Sequence, residues 1–259
     1  MIIEKSGVKY FVFKNLEAAG VRHLFSTRVG GVSEGAYASL NLGVTTGDCL
    51  VAIRKNFIRI CDVAGFDVDG IVMSQQVHGT NIFSVESTKS VEKSVDGLVT
   101  DKAGIVLTTY YADCVPLLFY DPIKKVAGNA HAGWRGVAAD MAGRMVAAME
   151  GRHGSHPNDI LVGIGPSISV KNFEVGAEVE DEFKKSLPFS EKFIYNSEGA
   201  RDKYYVDLWE ICRLSLIRAG VKPNNIEVAG ICTYANPELF YSHRRDGLPR
   251  GGMAAMICL

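Results

Sequence analysis

Three short polar segments interrupt apolar stretches of the chain. Each segment contains one side chain of a type that can bind soft metal ions. These side chains are His78, Cys114 and His131. Two imidazoles and one thiolate suit Zn²⁺, and three protein ligands leave a fourth position for water or substrate, as catalytic zinc requires. The same donors suit copper, although the chain has no compact Cys-His-Met ligand loop. The residue types therefore raise the hypothesis of a metal site.

Each of the three residues also has an ordinary structural interpretation. A buried free cysteine usually behaves as a small apolar residue, and a histidine beside a tight turn can simply be hydrogen-bonded there. His131 ends an apolar segment, and Gly133 and Gly136 then allow a sharp turn and the close approach of a ligand. Because the three candidate ligands lie far apart in the sequence, spacing alone does not decide between the two interpretations.

Arginine- and glycine-rich turns near both ends of the chain form a second candidate group. One turn contains Arg28 and is followed by Asn41, and the other contains His243 and Arg244. Arginine forks bind phosphate and carboxylate groups well, but solvated turns with ion pairs fit the pattern equally well. The G-G-x-S sequence after Arg28 is too loose for a Walker or Rossmann phosphate loop, which argues against an ATPase or a nicotinamide enzyme.

The hydrophobic pattern mixes strands and helices without regular β-α-β alternation. Apolar segments rich in β-branched or aromatic residues predict strands at 10–13, 24–27, 71–74, 105–109, 115–120, 160–164 and 226–231, and one near 126–128 that leads into His131. Helices are predicted at about 51–64, after Arg135, at about 175–185 and at about 208–219. Asp48 and Asp207 are the predicted caps, and Gly65 and Gly220 the predicted stops. We expect one α+β domain, residues 1–259, with a mixed, largely antiparallel sheet.

Bulk composition argues against several classes of protein. The 28 basic and 29 acidic residues give a formal charge of -1, which provides no electrostatic footprint for nucleic acid or an anionic membrane. The chain contains neither an apolar run of membrane-spanning length nor a signal-peptide pattern, so we expect a cytoplasmic protein. Its six cysteines lack paired spacing and are interpreted as reduced thiols. The oligomeric state is left open.

Eight motifs occur in order along the chain, and together they resemble one known family. They are S-T-R-x-G-G-x-S, N-L-G, Q-Q-V-H-G, D-G-L-V-T-D, A-D-C-x-P, H-A-G-W-R-G, I-G-P-S-I and S-H-R-R-D-G. The sequence is similar to the laccase-domain family, once described as multicopper polyphenol oxidoreductase-like, whose members are also known as zinc-dependent purine nucleoside phosphorylases. The combination of A-D-C-x-P with H-A-G-W-R-G is highly specific, and the resemblance covers nearly the whole chain.

The resemblance implies a compact sandwich with packed helices around a buried metal pocket. It implies that His78, Cys114 and His131 hold Zn²⁺, with copper less favoured. It also implies phosphorolysis of adenosine, inosine, guanosine and methylthioadenosine, and hydrolytic deamination of adenosine, so purine nucleosides and phosphate are the expected partners. For deamination we expect zinc to activate a water. We expect Asp113 to carry protons or, alternatively, to orient the adjacent ligand.

Polar and cationic side chains are expected to bind the substrates, because an attacking phosphate needs cationic and hydrogen-bonding partners. The candidates are Arg28, Asn41, Gln76, Arg135, His243 and Arg244. Two positions depart from the family pattern. Ser167 stands where many relatives carry cysteine, and Gly252 stands where the tail usually carries arginine. Arg250, two residues earlier, offers a replacement for that arginine.

Three other functions compete with this interpretation. A copper polyphenol oxidoreductase needs several copper centres and more histidines than the six present. An amidase that edits a peptidoglycan nucleotide precursor would use the same zinc chemistry, so the site residues do not exclude it. A non-enzymatic binding protein has no need of a thiolate in a crevice, which makes it the less economical interpretation.

Overall fold

The computed structural model describes residues 1–90, 94–197 and 199–259. Its strands and α-helices, in chain order, are β1 (Ile2–Lys5), β2 (Val8–Phe11), α1 (Lys14–Ala18), β3 (Arg22–Ser26), α2 (Leu50–Ala64), β4 (Ile71–Met73), β5 (Ile82–Ser84), β6 (Gly97–Thr100), β7 (Val106–Tyr111), β8 (Val115–Asp121), β9 (Val126–Ala132), α3 (Trp134–Ala138), α4 (Met141–His153), β10 (Leu161–Ile164), β11 (Glu174–Gly176), α5 (Ala177–Ser186), β12 (Ile194–Asn196), β13 (Lys203–Val206), α6 (Leu208–Arg218), β14 (Ile226–Val228), α7 (His243–Asp246) and β15 (Met253–Cys258). None of the helices in the described ranges is long and apolar enough to cross a bilayer.

Two six-stranded sheets form the centre of the molecule. The first sheet has the order β1-β2-β3-β15-β7-β4, and the second has the order β14-β10-β8-β9-β6-β5. A small sheet, β11-β13-β12, lies beside them. Strand pairs β4–β7, β5–β6 and β10–β14 are parallel, and the other pairs described are antiparallel. The predicted mixed, largely antiparallel α+β architecture is therefore confirmed.

The two large sheets face each other across an apolar core, and helices cover their outer faces. Phe25 and Leu107 of the first sheet pack in one cluster with Leu98 and Leu118 of the second. Helix α2 covers the outer face of the first sheet, and helices α3 to α6 cover the outer face of the second. The result is a sandwich of four layers, in the order helix, sheet, sheet, helices.

Most predicted elements are present, but several predictions were wrong in detail. The predicted strands correspond to β2, β3, β4, β7, β8, β9, β10 and β14, and α2 ends at Gly65 with a left-handed φ of 72°. Asp207 caps α6 through the amides of Trp209 and Glu210. Asp48 does not cap α2, whose cap position is Cys49, because the Asp48 carboxylate binds Ser33 and Asn41 instead.

Two predicted helices have different bounds because local backbone breaks intervene. The helix after Arg135 is divided into α3 and α4 at Asp140, which adopts a left-handed φ of 60° and accepts the Gly143 amide. The predicted helix at 175–185 begins at Ala177, because residues 174–176 form β11. The sequence analysis missed β1, β5, β6, β11 to β13 and β15. The assignment of residues 1–259 to one domain stays a prediction.

Asn129 joins the two sheets with buried hydrogen bonds. It lies on β9, yet its Nδ2 donates to the carbonyls of Leu107 and Ala255 in the first sheet, each at 2.9 Å. Its Oδ1 accepts the Thr109 hydroxyl at 2.6 Å. Because Asn129 is fully buried, removing its amide takes a hydrogen bond from three buried polar groups, of which the Thr109 hydroxyl keeps its contact with the Tyr111 hydroxyl at 2.7 Å.

We expect Asn129→Leu to lower the free energy of unfolding by about 3 kcal/mol, because each orphaned buried polar group costs on the order of 1–3 kcal/mol. Urea denaturation followed by circular dichroism measures this loss. The exposed Asn196→Leu serves as the control and should change stability by less than about 0.5 kcal/mol. A loss below about 1 kcal/mol for Asn129→Leu would show that the sheets do not depend on this bridge.

His23 makes stability depend on pH. Its Nε2 accepts the Phe13 amide at 2.8 Å, and its Nδ1 donates to the Val21 carbonyl at 3.0 Å, so only the neutral ring satisfies both partners. Burial lowers the pKa of His23 below its ordinary value of 6.5. The unfolded chain therefore takes up the proton first, and the stability contributed by neutral His23 is present above about pH 6.5 and lost as the pH falls below it.

We expect the free energy of unfolding to fall between pH 7 and pH 5, and to fall less steeply in His23→Gln, whose side chain does not titrate. Urea denaturation at pH 7, 6 and 5 gives the comparison, since the other histidines are common to both proteins. Exposed His156→Gln should retain the wild-type slope. Parallel curves for wild type and His23→Gln would contradict the assignment.

Candidate metal centre

The three candidate ligands meet at one end of the sandwich, where the chain crosses between the sheets. His78 lies in the crossing from β4 to β5, and Cys114 lies in the crossing from β7 to β8. His131 occupies the end of β9, opposite Pro116 of β8 in the strand register. Adjacent strands thus bring together residues that are separated by many positions in the sequence.

Buried Asp96 fixes the orientation of His131. Asp96 directly precedes β6, which pairs with β9, and its carbonyl accepts the His131 amide at 2.8 Å. Its Oδ1 also lies 2.8 Å from Nδ1 of the His131 ring. Both side chains are almost completely buried. Because Nδ1 is held by the carboxylate, Nε2 is the ring nitrogen left for a metal ion.

The same carboxylate organises the turn that carries His78. Asp96 accepts the amides of Val77, His78 and Gly79 at 3.2, 3.0 and 2.8 Å, and His78 adopts a left-handed φ of 59°. Burial by itself would raise the pKa of Asp96, but the hydrogen bonds from His131, Gly79 and Val77 and the charge of His131 outweigh burial and lower it. One ionised carboxylate therefore positions two of the three candidate ligands.

Asp113 holds the third ligand's turn against the C-terminal part of the chain. Its Oδ1 accepts the Thr233 hydroxyl at 2.6 Å, and its Oδ2 accepts the Ser242 hydroxyl at 2.9 Å and the Arg244 amide at 2.7 Å. Both carboxylate oxygens thus have partners directly beside Cys114. This geometry favours the orienting role that the sequence analysis offered as the alternative to proton transfer.

The ligand atoms of His78, Cys114 and His131 all lie within 4.8 Å of one another. The two imidazole rings are nearly perpendicular, with centroids 4.8 Å apart. Gly133 makes this packing possible, because a Cβ at that position would lie only 2.5 Å from His78 Nδ1 and 3.4 Å from Cys114 Sγ. A side chain there would push the candidate ligands apart.

The electrostatics of the cluster favour the thiolate that a metal ion needs. Burial alone would raise the pKa of Cys114, but the charge of His131 and hydrogen bonds from both histidines outweigh it and lower that pKa. Burial alone would lower the pKa of His131, but Cys114 and Asp96 outweigh it and raise that pKa. Two nitrogen donors, one thiolate sulfur and a cavity beside them fit a Zn²⁺ or copper ion with an open position.

Two cavities, each of about 570 Å³, meet at the candidate metal centre. They share a wall formed by His78, Ala112, Cys114 and His243. One, here called the aromatic cavity, is otherwise bounded mainly by Trp134, Arg135, Ile168, Phe173, Leu208 and Arg244. The other, here called the polar cavity, is also bounded by His131 and, among others, by Thr45, Thr46, Ser74, Gln76 and Arg250.

Four of the six predicted substrate-binding residues line these cavities. Arg135 and Arg244 lie on the aromatic cavity, where each guanidinium packs over an aromatic ring. His243 belongs to the wall shared by both cavities. Gln76 lines the polar cavity, and its amide is paired with the backbone of Tyr110 at 2.7 and 2.8 Å.

Arg28 and Asn41 are not among the residues that line either cavity. The Arg28 guanidinium donates to the carbonyls of Ala38 and Pro237 and packs on the Tyr241 ring. Asn41 is fully buried, and its Oδ1 accepts the amides of Gly43 and Gly252. The structure therefore does not bring these two residues to the candidate site, although Asn41 supports the wall of the polar cavity.

The sequence did not lead us to predict two residues of this site, Asp96 and Arg250, as site residues. Asp96 begins the D-G-L-V-T-D motif, and an acidic residue just before a buried apolar strand was a signal of a buried carboxylate. Arg250 was noted only as a replacement for a missing arginine.

Of the two departures from the family pattern, Ser167 is buried and accepts the Trp209 indole N–H at 2.6 Å, and Gly252 packs against Gly43.

Comparison with known proteins identifies the family. Residues 22–259 match the family described as multi-copper polyphenol oxidoreductase laccase. The chain is 37% identical over 242 residues to purine nucleoside phosphorylase YlmD of Bacillus subtilis, covering 90% of this chain and 86% of that protein. It is 35% identical over 241 residues to purine nucleoside phosphorylase YfiH of Escherichia coli, covering 93% and 94% of the two chains.

Solved structures agree with these sequence matches. The crystal structure of YlmD from Geobacillus stearothermophilus superposes with a TM-score of 0.92 at 36% identity, covering 99% of this chain and 97% of that chain. The crystal structure of the Neisseria meningitidis protein NMB0706 superposes with a TM-score of 0.83 at 31% identity. The resemblance inferred from the eight motifs is confirmed, and the chain belongs to the multi-copper polyphenol oxidoreductase laccase family.

Proposed function

We propose that this protein is a zinc-dependent purine nucleoside phosphorylase. The observation that carries the proposal is the convergence of His78, Cys114 and His131 between two cavities of substrate size. Relatives along most of the chain's length carry the name purine nucleoside phosphorylase, which supports the choice of reaction. The proposed substrates are adenosine, inosine, guanosine and methylthioadenosine, together with inorganic phosphate.

The protein's own residues would bind and orient the reactants in this proposal. Zinc, when bound by the three ligands, would supply Lewis-acid chemistry at the wall between the cavities. Asp96 holds the His131 ring and the His78 turn in place, so that little reorganisation is needed when a substrate binds. His243, exposed on the shared wall, is within reach of groups in both cavities.

Hydrolytic deamination of adenosine is the second activity that we propose. It replaces the 6-amino group of the purine by oxygen and requires a proton carrier near the reacting carbon. Asp113 stays the predicted carrier, although its three hydrogen bonds support an orienting role as well. A cytoplasmic location likewise stays a prediction.

We expect His131→Ala and Cys114→Ser to lose tight zinc binding and phosphorolysis together, with a fall in turnover of at least about 10³-fold, because each removes one of three ligands. Metal content is measured by mass spectrometry, and free purine is measured chromatographically from inosine with and without phosphate. Cys49→Ser is the matched control, since Cys49 is exposed and lines neither cavity.

Two results would contradict the proposal in different ways. Full phosphorolysis by metal-free His131→Ala would exclude a role for the metal. No purine product from folded, zinc-loaded wild-type protein would exclude the nucleoside reaction while leaving the metal site intact, and it would favour the amidase alternative.

We expect Asp96→Asn to weaken zinc binding by about 10–100-fold, because a neutral amide loses the charge that orients His131 and compensates a bound cation. Competition with a chromophoric chelator gives the affinity. Asp101→Asn, at the far end of the same motif and partly exposed, is the control. Unchanged zinc affinity in Asp96→Asn would mean that this carboxylate serves only to fold the β4–β5 crossing.

A further inference from the structure

Arg250 lines the polar cavity, and none of the described carboxylates lies within salt-bridge distance of it. Its Nη1 donates to the Gly251 carbonyl at 2.9 Å, and its Nε lies 3.4 Å from Nδ1 of His243. Neither of these two partners is a carboxylate, whereas the neighbouring Arg245 forms an ion pair with Asp246 at 2.7 Å. Within the described ranges, no salt bridge involves Arg250.

The surroundings of Arg250 fit a small anion. The described residues that line the polar cavity include no aspartate or glutamate, and Arg250 is the one lysine or arginine among them. Thr45 and Ser74, which carry hydroxyl groups, line the same space. The guanidinium is partly buried, and this burial lowers its pKa from the ordinary value, although the charges of Asp113, Cys114 and Asp246 act in the opposite direction. A partly desolvated guanidinium binds an oxyanion more strongly than an exposed one does.

The backbone around Arg250 is tightly packed, which limits the positions open to its side chain. A Cβ on Gly251 would lie 2.5 Å from the Tyr241 ring, and a Cβ on Gly252 would lie 3.4 Å from the Gly43 Cα. The Gly252 amide is bonded to buried Asn41 at 2.8 Å. The segment that carries Arg250 is therefore anchored to the wall of the cavity rather than free in solvent.

The aromatic cavity has a more apolar lining, and its two arginines, Arg135 and Arg244, share it with the carboxylate of Asp113. Its lining includes Trp134, Ile168, Phe173 and Leu208, which offer apolar and ring surfaces to a flat aromatic group. The guanidinium of Arg135 lies 4.2 Å from the Trp134 ring and extends this flat surface. Such a surface suits a purine base by stacking.

The reaction itself requires two subsites on either side of one carbon. In phosphorolysis with inversion, a phosphate oxygen forms a bond to C1′ of the ribose from one face. The C1′–N9 bond breaks on the other face, its electron pair stays on the purine, and N9 takes up a proton from solvent. The two cavities adjoin at a shared wall that contains His78, Cys114 and His243.

Resting on the proposed function, we propose that Arg250 anchors the attacking phosphate in the polar cavity while the purine base occupies the aromatic cavity. The ribose then lies at the shared wall, between the incoming and departing groups. Arg250 is a substrate-binding residue in this arrangement, and Arg28 is not.

The test compares the two substrates in Arg250→Gln, Arg250→Lys and Arg135→Ala. We expect Arg250→Gln to raise the KM for phosphate at least about tenfold and the KM for inosine less than about threefold, because it removes a charge-assisted contact to phosphate alone. Arg250→Lys should recover part of the phosphate affinity. Arg135→Ala should raise the KM for inosine more than the KM for phosphate. Arg218→Gln, on a surface away from both cavities, should match wild type.

A binding measurement separates this inference from the proposed function. Inorganic phosphate should raise the melting temperature of wild-type protein above that in chloride of equal ionic strength, and it should not do so for Arg250→Gln. This result supports the anion subsite even if no phosphorolysis is found. Two results would overturn the inference while leaving the proposed function in place. One is phosphorolysis with an unchanged KM for phosphate in Arg250→Gln, and the other is a KM for phosphate that rises more in Arg135→Ala than in Arg250→Gln.

Discussion

The carboxylate of Asp96 is the interaction on which the candidate site depends. It is buried, it is ionised, and it accepts hydrogen bonds from the His131 ring and from three consecutive amides that include that of His78. A buried charge is tolerated only when it is well paired. The His131 ring and the β4–β5 crossing therefore have to stay where Asp96 holds them. The hydrogen bonds of Asp96 thus fix His78 and His131 relative to each other before any metal binds.

The sandwich supplies the frame for that carboxylate. Strand β6 carries Asp96 to the edge of β9, and the two sheets are joined beneath it by the amide of Asn129. Tyr111 of the first sheet packs against His131, with ring centroids 5.5 Å apart. A candidate metal centre at the crossing between two sheets is thus held from both sides, and the loops that line the cavities are attached to rigid strands.

Residue types in the sequence singled out three reactive side chains that interrupt apolar segments, and the fold brings these three together. Their role as metal ligands stays a prediction. The mixed sheet followed from strand patterns. Strand β15 was missed because its sequence, M-A-A-M-I-C, has a single β-branched residue, Ile257, and the prediction relied on segments rich in such residues. Its place at the centre of the first sheet is set by long-range pairing with β3 and β7. Arg28 was predicted to bind substrate, but its guanidinium donates to the carbonyls of Ala38 and of Pro237, and Pro237 comes from a segment distant in sequence.

In the proposed function, two imidazoles and one thiolate from this chain hold a single zinc ion. Zinc-edge X-ray absorption of the purified protein tests it most directly. We expect one sulfur at about 2.3 Å and two imidazole nitrogens at about 2.0–2.1 Å, with one further light atom in the fourth position. A shell without sulfur, a shell of several sulfurs, or protein that folds and turns over nucleosides with no zinc bound would contradict it.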